Sequence, residues 1–112
     1  MNFSGKVAIV TGGANGIGKE VVRGIVDGGG FVVIADINEA AATKTVAEFG
    51  VEHTVFEYMD LGNHESIVAS MNKILSERKV DILVNCAGVI SAQPFDQLTY
   101  EEWERTIRIN LS

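Results

Sequence analysis

The sequence predicts an α/β fold, with an open parallel sheet, helices on both faces and a doubly wound strand order of 3-2-1-4. Three observations carry this expectation. Short apolar runs rich in β-branched residues alternate with segments whose apolar residues fall at helical spacing, the signature of βαβ crossovers. Most of the runs are continuous rather than alternating, as strands covered on both faces are. With 112 residues, 46% of them hydrophobic and 21% charged, the chain has the size and composition of one globular domain, 1–112. Four such strands fit an open sheet better than a barrel, which needs about eight.

Lys6 to Thr11 is the first strand, stopped by Gly12-Gly13. Ile17, Val21, Val22, Ile25 and Val26 then recur at helical spacing until Gly28-Gly29-Gly30 ends the helix. Phe31 to Ala35 is the second strand, closed by Asp36, and a helix follows from Glu39 to Phe49 with Gly50 behind it. The third strand, Thr54 to Met59, carries Glu57 and is therefore placed at an edge. Asn63 can cap the next helix, whose expected buried stripe is Ile67, Met71, Ile74 and Leu75. Val80 to Asn85 is the fourth strand. Thr99 and Glu102 form a capping box for a last helix with Trp103, Ile107 and Leu111 on its apolar face.

Composition narrows the function. The net charge is −6 and no basic cluster exceeds Arg78-Lys79, so a nucleic-acid partner is disfavoured. Val7 to Val10 and Phe31 to Ala35 are far shorter than the ~20 residues of a membrane span, and no secretory signal pattern follows Lys6. A single cysteine, Cys86, cannot form an internal disulfide, which fits a reducing cytosol. The expectation is a cytoplasmic protein with neither membrane nor nucleic acid as partner. His53 and His64 have no ligand-like spacing to each other or to Cys86, so no metal is expected.

In doubly wound sheets ligands bind outside the carboxyl ends of the strands, at the switch point, here between strands one and four. Gly12, Asp36, Asp60 and Asn85 each lie at such an end. Thr11 to Gly18, T-G-G-A-N-G-I-G, is a glycine-rich turn feeding a helix N-terminus. Free backbone N–H groups and the positive dipole end suit a pyrophosphate there. Without glycines, side chains would hold the phosphates away; the alternative reading is a plain tight turn. The G-x-G-x-x-G fingerprint fails, since counting from Gly16 and Gly18 its third place holds Val21. A P-loop nearly fits through Gly13, Gly18 and Lys19, but Glu20 stands where Mg²⁺ needs a Ser or Thr hydroxyl.

The pattern that does fit is T-G-x-x-x-G-I-G. With Asp36, Asp60-Leu61, Asn85-Cys86-Ala87-Gly88 and Asn110 in order, the chain resembles the short-chain dehydrogenase/reductase family along its length. The resemblance implies a Rossmann-type three-layer αβα fold and hydride transfer between a nicotinamide cofactor and a small-molecule alcohol or carbonyl substrate. It implies cofactor contacts from Gly12, Asn15, Gly16, Ile17, Gly18, Asp36, Ile37, Asp60, Leu61, Asn85, Ala87 and Gly88. Asp36 can accept from the adenosine ribose hydroxyls and would repel a 2′-phosphate, while Ala14 and Asn15 offer no basic partner, so NAD is expected rather than NADP. Asp36 could instead cap the following helix, a task Asn38 could also perform. By resemblance Asp60 accepts from the adenine amino group and the Leu61 backbone reads the ring edge; alternatively Asp60 only starts a turn.

Asn85-Cys86-Ala87-Gly88 looks like the family's N-N-A-G with Cys in the second place. By resemblance Asn85 braces the neighbouring strands and lines the cleft, and the small Ala87 and Gly88 admit the nicotinamide ribose. Cys86 reads as a small core residue rather than a nucleophile, with no cation near it in sequence. Asn110 falls on the Trp103/Ile107 face. The family uses this Asn to kink the helix and hold a water in a proton relay to the catalytic Lys, and it is the one expected catalytic residue present; a helix-bracing amide is the alternative.

The family's Ser and Tyr-x-x-x-Lys pair are not found. Tyr58 and Tyr100 are followed four residues on by Gly62 and Glu104, and Ser112 lies too close to Asn110. The chain is therefore expected to be the N-terminal cofactor-binding portion, incomplete at its C-terminus and inactive alone. Only the Val89 to Gln97 loop could line a substrate pocket. With nothing expected to pair with the fourth strand and a half-covered last helix, the chain should form a homo-oligomer, be marginally stable, or belong to a longer polypeptide. Two functions stand: an NAD-dependent oxidoreductase represented by this segment, and a non-catalytic nucleotide-binding or assembly module using the same cleft.

Overall fold

A computed structural model describes residues 2–86 and the backbone of residues 91–94. The strands are β1 (Val7–Thr11), β2 (Phe31–Asp36), β3 (Thr54–Tyr58), β4 (Ile82–Asn85) and β5 (Ser91–Pro94). Three helices, α1 (Gly16–Asp27), α2 (Glu39–Phe49) and α3 (His64–Glu77), connect the first four. The sheet order is β3-β2-β1-β4-β5, with β1 to β4 parallel and β5 antiparallel to β4. This is the doubly wound 3-2-1-4 order that the alternation of runs predicts, with β3 at an edge.

β1 is the axis of the sheet. Ile9 stands opposite Val33 on one side and Leu83 on the other, so successive side chains of β1 enter two different cores. Ile9, Val33 and Leu83 pack with Met59, Ile67, Met71 and Ile74 under α3. Ala8, Val10, Val32 and Ile34 pack on the opposite face with Val22 and Ile25 of α1 and Ala42 of α2. Three layers result.

The punctuation follows the residues. Gly28, Gly29 and Gly30 return their N–H groups to Gly24, Val26 and Ile25 carbonyls, ending α1. Asn38 caps α2 by accepting from the Ala41 N–H, and Asn63 caps α3 by accepting from the Ser66 N–H. Asp36 is therefore not the cap of α2. β4 begins two residues later than the apolar run, at Ile82, because the Asp81 carboxylate takes the Val7 N–H at 3.0 Å. Met59 follows β3 rather than ending it, yet is buried and donates its N–H to the Asp36 carbonyl.

Two expectations need correction. Leu75 is exposed, because Ile67, Met71 and Ile74 already fill the face of α3 toward the sheet. And β4 is not left bare: Ser91–Pro94 pairs with it, from Asn85 opposite Ser91 to Ile82 opposite Pro94. Proline is tolerated on the outermost strand, where no neighbour needs its N–H. One ground for expecting a homo-oligomer thus falls away; the other, the helix expected from Thr99, lies outside the described residues. No helix among the described residues is long and apolar enough to cross a membrane.

The Met71/Leu75 contrast is measurable. Met71→Ala should lower unfolding free energy by about 2–5 kcal/mol, as truncation in a closed core does. Leu75→Ala should change it by about 0.5 kcal/mol or less. Urea denaturation of both variants, followed by circular dichroism, checks the difference.

Candidate functional site

The turn after β1 is shaped by two glycines in particular. Gly12 holds a φ of 70°, a left-handed conformation that side chains disfavour, and its N–H returns to the Ala35 carbonyl at 2.9 Å. At Gly18 a Cβ would collide with the Gly12 carbonyl group. Helix α1 therefore abuts the end of β1 backbone to backbone. Asn15, the N-cap residue, makes no side-chain cap bond, and the first turn carries no acidic residue. In α2 and α3, by contrast, the caps are occupied by Asn38 and Asn63 and the first turns hold Glu39 and Glu65. The start of α1 keeps its N–H groups and positive dipole end available for an anion.

Asp36, at the end of β2, faces this turn. One carboxylate oxygen accepts from the Ala14 N–H at 3.1 Å and the other from the Asn38 N–H at 2.9 Å. A carboxylate has about four acceptor positions, so each oxygen retains capacity for a hydroxyl donor. Gly12, Asp36, Ile37, Asp60, Leu61 and Gly62 line one cleft of about 290 Å³ at the carboxyl ends of β1, β2 and β3. Five of these six are residues the sequence singled out. Ile37 is 56% exposed at its rim. Asp60 does start a turn, with one carboxylate oxygen accepting from the Gly62 N–H at 2.9 Å, and it lines the cleft as well.

On the other side of β1, the Thr11 hydroxyl donates to the Asn85 side-chain carbonyl at 2.8 Å, with both residues fully buried. The Cys86 N–H reaches both the Thr11 carbonyl and the Thr11 hydroxyl. β1 and β4 are thus laced together where their ends part. The Cys86 side chain packs partly against the core beneath α1, and burial pushes its thiol pKa up. It stays protonated at neutral pH, in keeping with a packing role. Ala87, Gly88 and Asn110 lie outside the described residues.

Two features escaped the sequence reading. Lys19 and Lys44 line a second hollow of about 310 Å³ with Asn15, Asn38 and Thr45, beside Asp36. Basic groups therefore do stand near the loop, contributed by helix positions rather than by Ala14 or Asn15. Lys19 is paired with Glu48 at 3.2 Å. Thr45, buried in α2, donates to the Ala14 carbonyl at 3.0 Å; a polar β-branched residue among Ala41, Ala42, Val46 and Phe49 was the available signal. Among the described residues no group of three or more His, Cys, Asp or Glu could hold a metal ion.

Sheet order, glycine turn and cleft together define a Rossmann-type α/β domain with a nucleotide-sized opening at the ends of its strands. The chain belongs to the short-chain dehydrogenase family, whose model matches residues 6–112. It is 37% identical over 112 residues to 2-dehydro-3-deoxy-L-rhamnonate dehydrogenase (NAD(+)) of Sphingomonas sp. (strain SKA58), covering 98% of this chain and 44% of the relative. It is 35% identical over 114 residues to D-threitol dehydrogenase of Mycolicibacterium smegmatis, covering 98% of this chain and 44% of that protein. Among solved structures, 3-ketoacyl-(acyl-carrier-protein) reductase from Brucella melitensis, complexed with NADH, superposes with a TM-score of 0.71 at 31% identity. That match covers 93% of this chain and 43% of the reductase. The chain thus spans less than half the length of these relatives.

Two glycines of α1 give opposite expectations. Gly18→Ala should lower stability by about 2 kcal/mol or more, because the new methyl meets rigid backbone. At Gly24 a Cβ would meet nothing within 4 Å, so Gly24→Ala should raise stability by about 0.5–1 kcal/mol. Denaturant midpoints of both variants against the parent chain decide this.

Proposed function

We propose that this chain is the cofactor-binding portion of an NAD(H)-dependent oxidoreductase that moves hydride between nicotinamide and a small-molecule alcohol or carbonyl. The observation that carries the reading is the single cleft holding Gly12, Asp36, Ile37, Asp60 and Leu61, next to a helix N-terminus with no side-chain cap.

Each residue has a task in this reading. The N–H groups of Gly16, Ile17 and Gly18 face the pyrophosphate, and Gly12 and Asn15 shape the turn around it. Asp36 accepts from the ribose hydroxyls through its remaining acceptor positions. Ile37 and Leu61 flank the adenine, and the Asp60 oxygen not held by Gly62 accepts from its amino group. Asn85, Ala87 and Gly88 border the nicotinamide half. Asn110 takes the family's place in the proton relay. When bound, the nicotinamide supplies the hydride chemistry; the residues of this chain bind and orient it.

NAD is preferred over NADP because the Asp36 carboxylate opposes a 2′-phosphate at the same position. Lys19 and Lys44 in the adjoining hollow are the groups that would favour the phosphate once that charge is removed. The Sphingomonas relative is named as an NAD(+) dehydrogenase, in line with this preference. The 112-residue polypeptide contains no Tyr-x-x-x-Lys pair, so by itself it is read as binding without turnover.

Titration with NADH and NADPH by fluorescence tests the proposal. NADH should bind more tightly, and Asp36→Ala should shift the NADH-to-NADPH affinity ratio toward NADPH by about tenfold or more, a coupling of ~1.4 kcal/mol. Failure of both cofactors to bind, or dehydrogenase turnover by the 112-residue chain, would contradict the corresponding part.

A further inference from the structure

We propose that Thr45, on α2, is a positioning residue for the glycine-rich turn, holding the Ala14 backbone at its carbonyl while Asp36 holds it at its N–H. The proposal rests on the cofactor-binding reading for its functional consequence, but its structural half stands alone.

The backbone of Ala14 is held on both sides by side chains from different elements. Its N–H donates to the Asp36 carboxylate at 3.1 Å, and its carbonyl accepts from the Thr45 hydroxyl at 3.0 Å. Ala14 itself is 2% exposed and Thr45 1% exposed, so the Thr45 bond is shielded from competing water, while the Asp36 bond is partly buried. A helical threonine ordinarily returns its hydroxyl to the carbonyl four residues back. Here Ala41 is that carbonyl, also at 3.0 Å, and the hydroxyl proton is shared between Ala41 and Ala14. The Ala41 carbonyl loses little without Thr45, since it belongs to a helix turn. Ala14 precedes α1, and its carbonyl takes its hydrogen bond from Thr45 among the described residues. Removing the hydroxyl therefore strands a buried carbonyl in the turn.

The clamp has a consequence for recognition. Ala14 is immediately followed by Asn15 to Gly18, whose amides receive the pyrophosphate in the cofactor-binding reading. Holding the Ala14 backbone on both sides pre-orients those amides, which reduces the ordering cost of binding. Asp36 has two tasks, bracing the turn and meeting the ribose, whereas Thr45 has one. Substitution of Thr45 should consequently weaken NADH and NADPH by the same factor, while substitution of Asp36 changes their ratio.

The test uses Thr45→Val, which keeps the shape and removes the hydroxyl, and Thr45→Ser, which keeps the hydroxyl. Hydrogen exchange by mass spectrometry should show residues 12–18 exchanging about tenfold faster in Thr45→Val, with β1 and β2 unchanged and Thr45→Ser near the parent. Cofactor titration should show both dissociation constants rising by the same factor, roughly three- to tenfold, and recovering in Thr45→Ser. Unchanged exchange in residues 12–18, or faster exchange confined to α2, would overturn the proposal. So would a change in the NADH-to-NADPH ratio. If Thr45→Val does not fold, Thr45→Ala against Thr45→Ser makes the same comparison. If the parent chain binds neither cofactor, the functional reading fails, and the exchange result still decides whether Thr45 holds the turn.

Discussion

Helix α1 meets the end of β1 so closely that no side chain fits between them, and Gly18 is the point of contact. Because that position is bare, the helix can lie down on the sheet within one tight turn of leaving the strand. Val22 and Ile25 then reach the core above Val10, Val32 and Ile34. The same approach aims the first turn of α1 over the carboxyl ends of the strands. A bulkier residue would lift the helix, open the core beneath it and turn its N–H groups away from the cleft. Packing and recognition thus depend on one backbone-to-backbone contact.

Around this contact the strand ends are tied by buried hydrogen bonds between neutral groups and one part-buried bond to a carboxylate. Thr11 and Asn85 join β1 to β4, Asp36 joins β2 to the turn, and Thr45 joins the turn to α2. The ion pairs between α1 and α2, from Lys19 and Arg23 to Glu48, lie on the exposed outer surface. Exposed pairs of this kind contribute little. The relative position of these helices and the loop is set by apolar burial and the threonine bond, with the charges finishing the surface. This division leaves Ile37 exposed at the rim of the cleft.

Most of the sheet was legible in the sequence because buried parallel strands write themselves as unbroken apolar runs. Val7 to Thr11 and Phe31 to Asp36 could hardly be anything else, and the glycines and asparagines between elements name the turns and caps. Helical faces were harder. Periodicity cannot say where a stripe ends, so it counts Leu75 in the stripe of α3 although Ile67, Met71 and Ile74 already fill the face toward the sheet. β5 was invisible because Ser-Ala-Gln-Pro has no strand signature; its pairing is decided by the open edge of β4. In the site, Gly12, Asp36 and Asp60 were found because each ends a strand. Thr45 and Lys44 escape a sequence reading because they reach the turn through tertiary packing from α2, Thr45 from 31 residues away in sequence.

The central claim is that the carboxyl ends of β1, β2 and β3 receive the adenosine and pyrophosphate of the cofactor. Backbone amide chemical shifts of the labelled 112-residue chain, followed during titration with ADP-ribose, test it most directly. The amides of Ala14, Gly16, Ile17 and Gly18 and those of Ile37 and Leu61 should move together, saturating with one dissociation constant. The amides of Val51, Thr54 and Arg78, at the opposite end of the sheet, should not move. Shifts confined to that opposite end, or none in the glycine-rich turn at saturating ligand, would contradict the account.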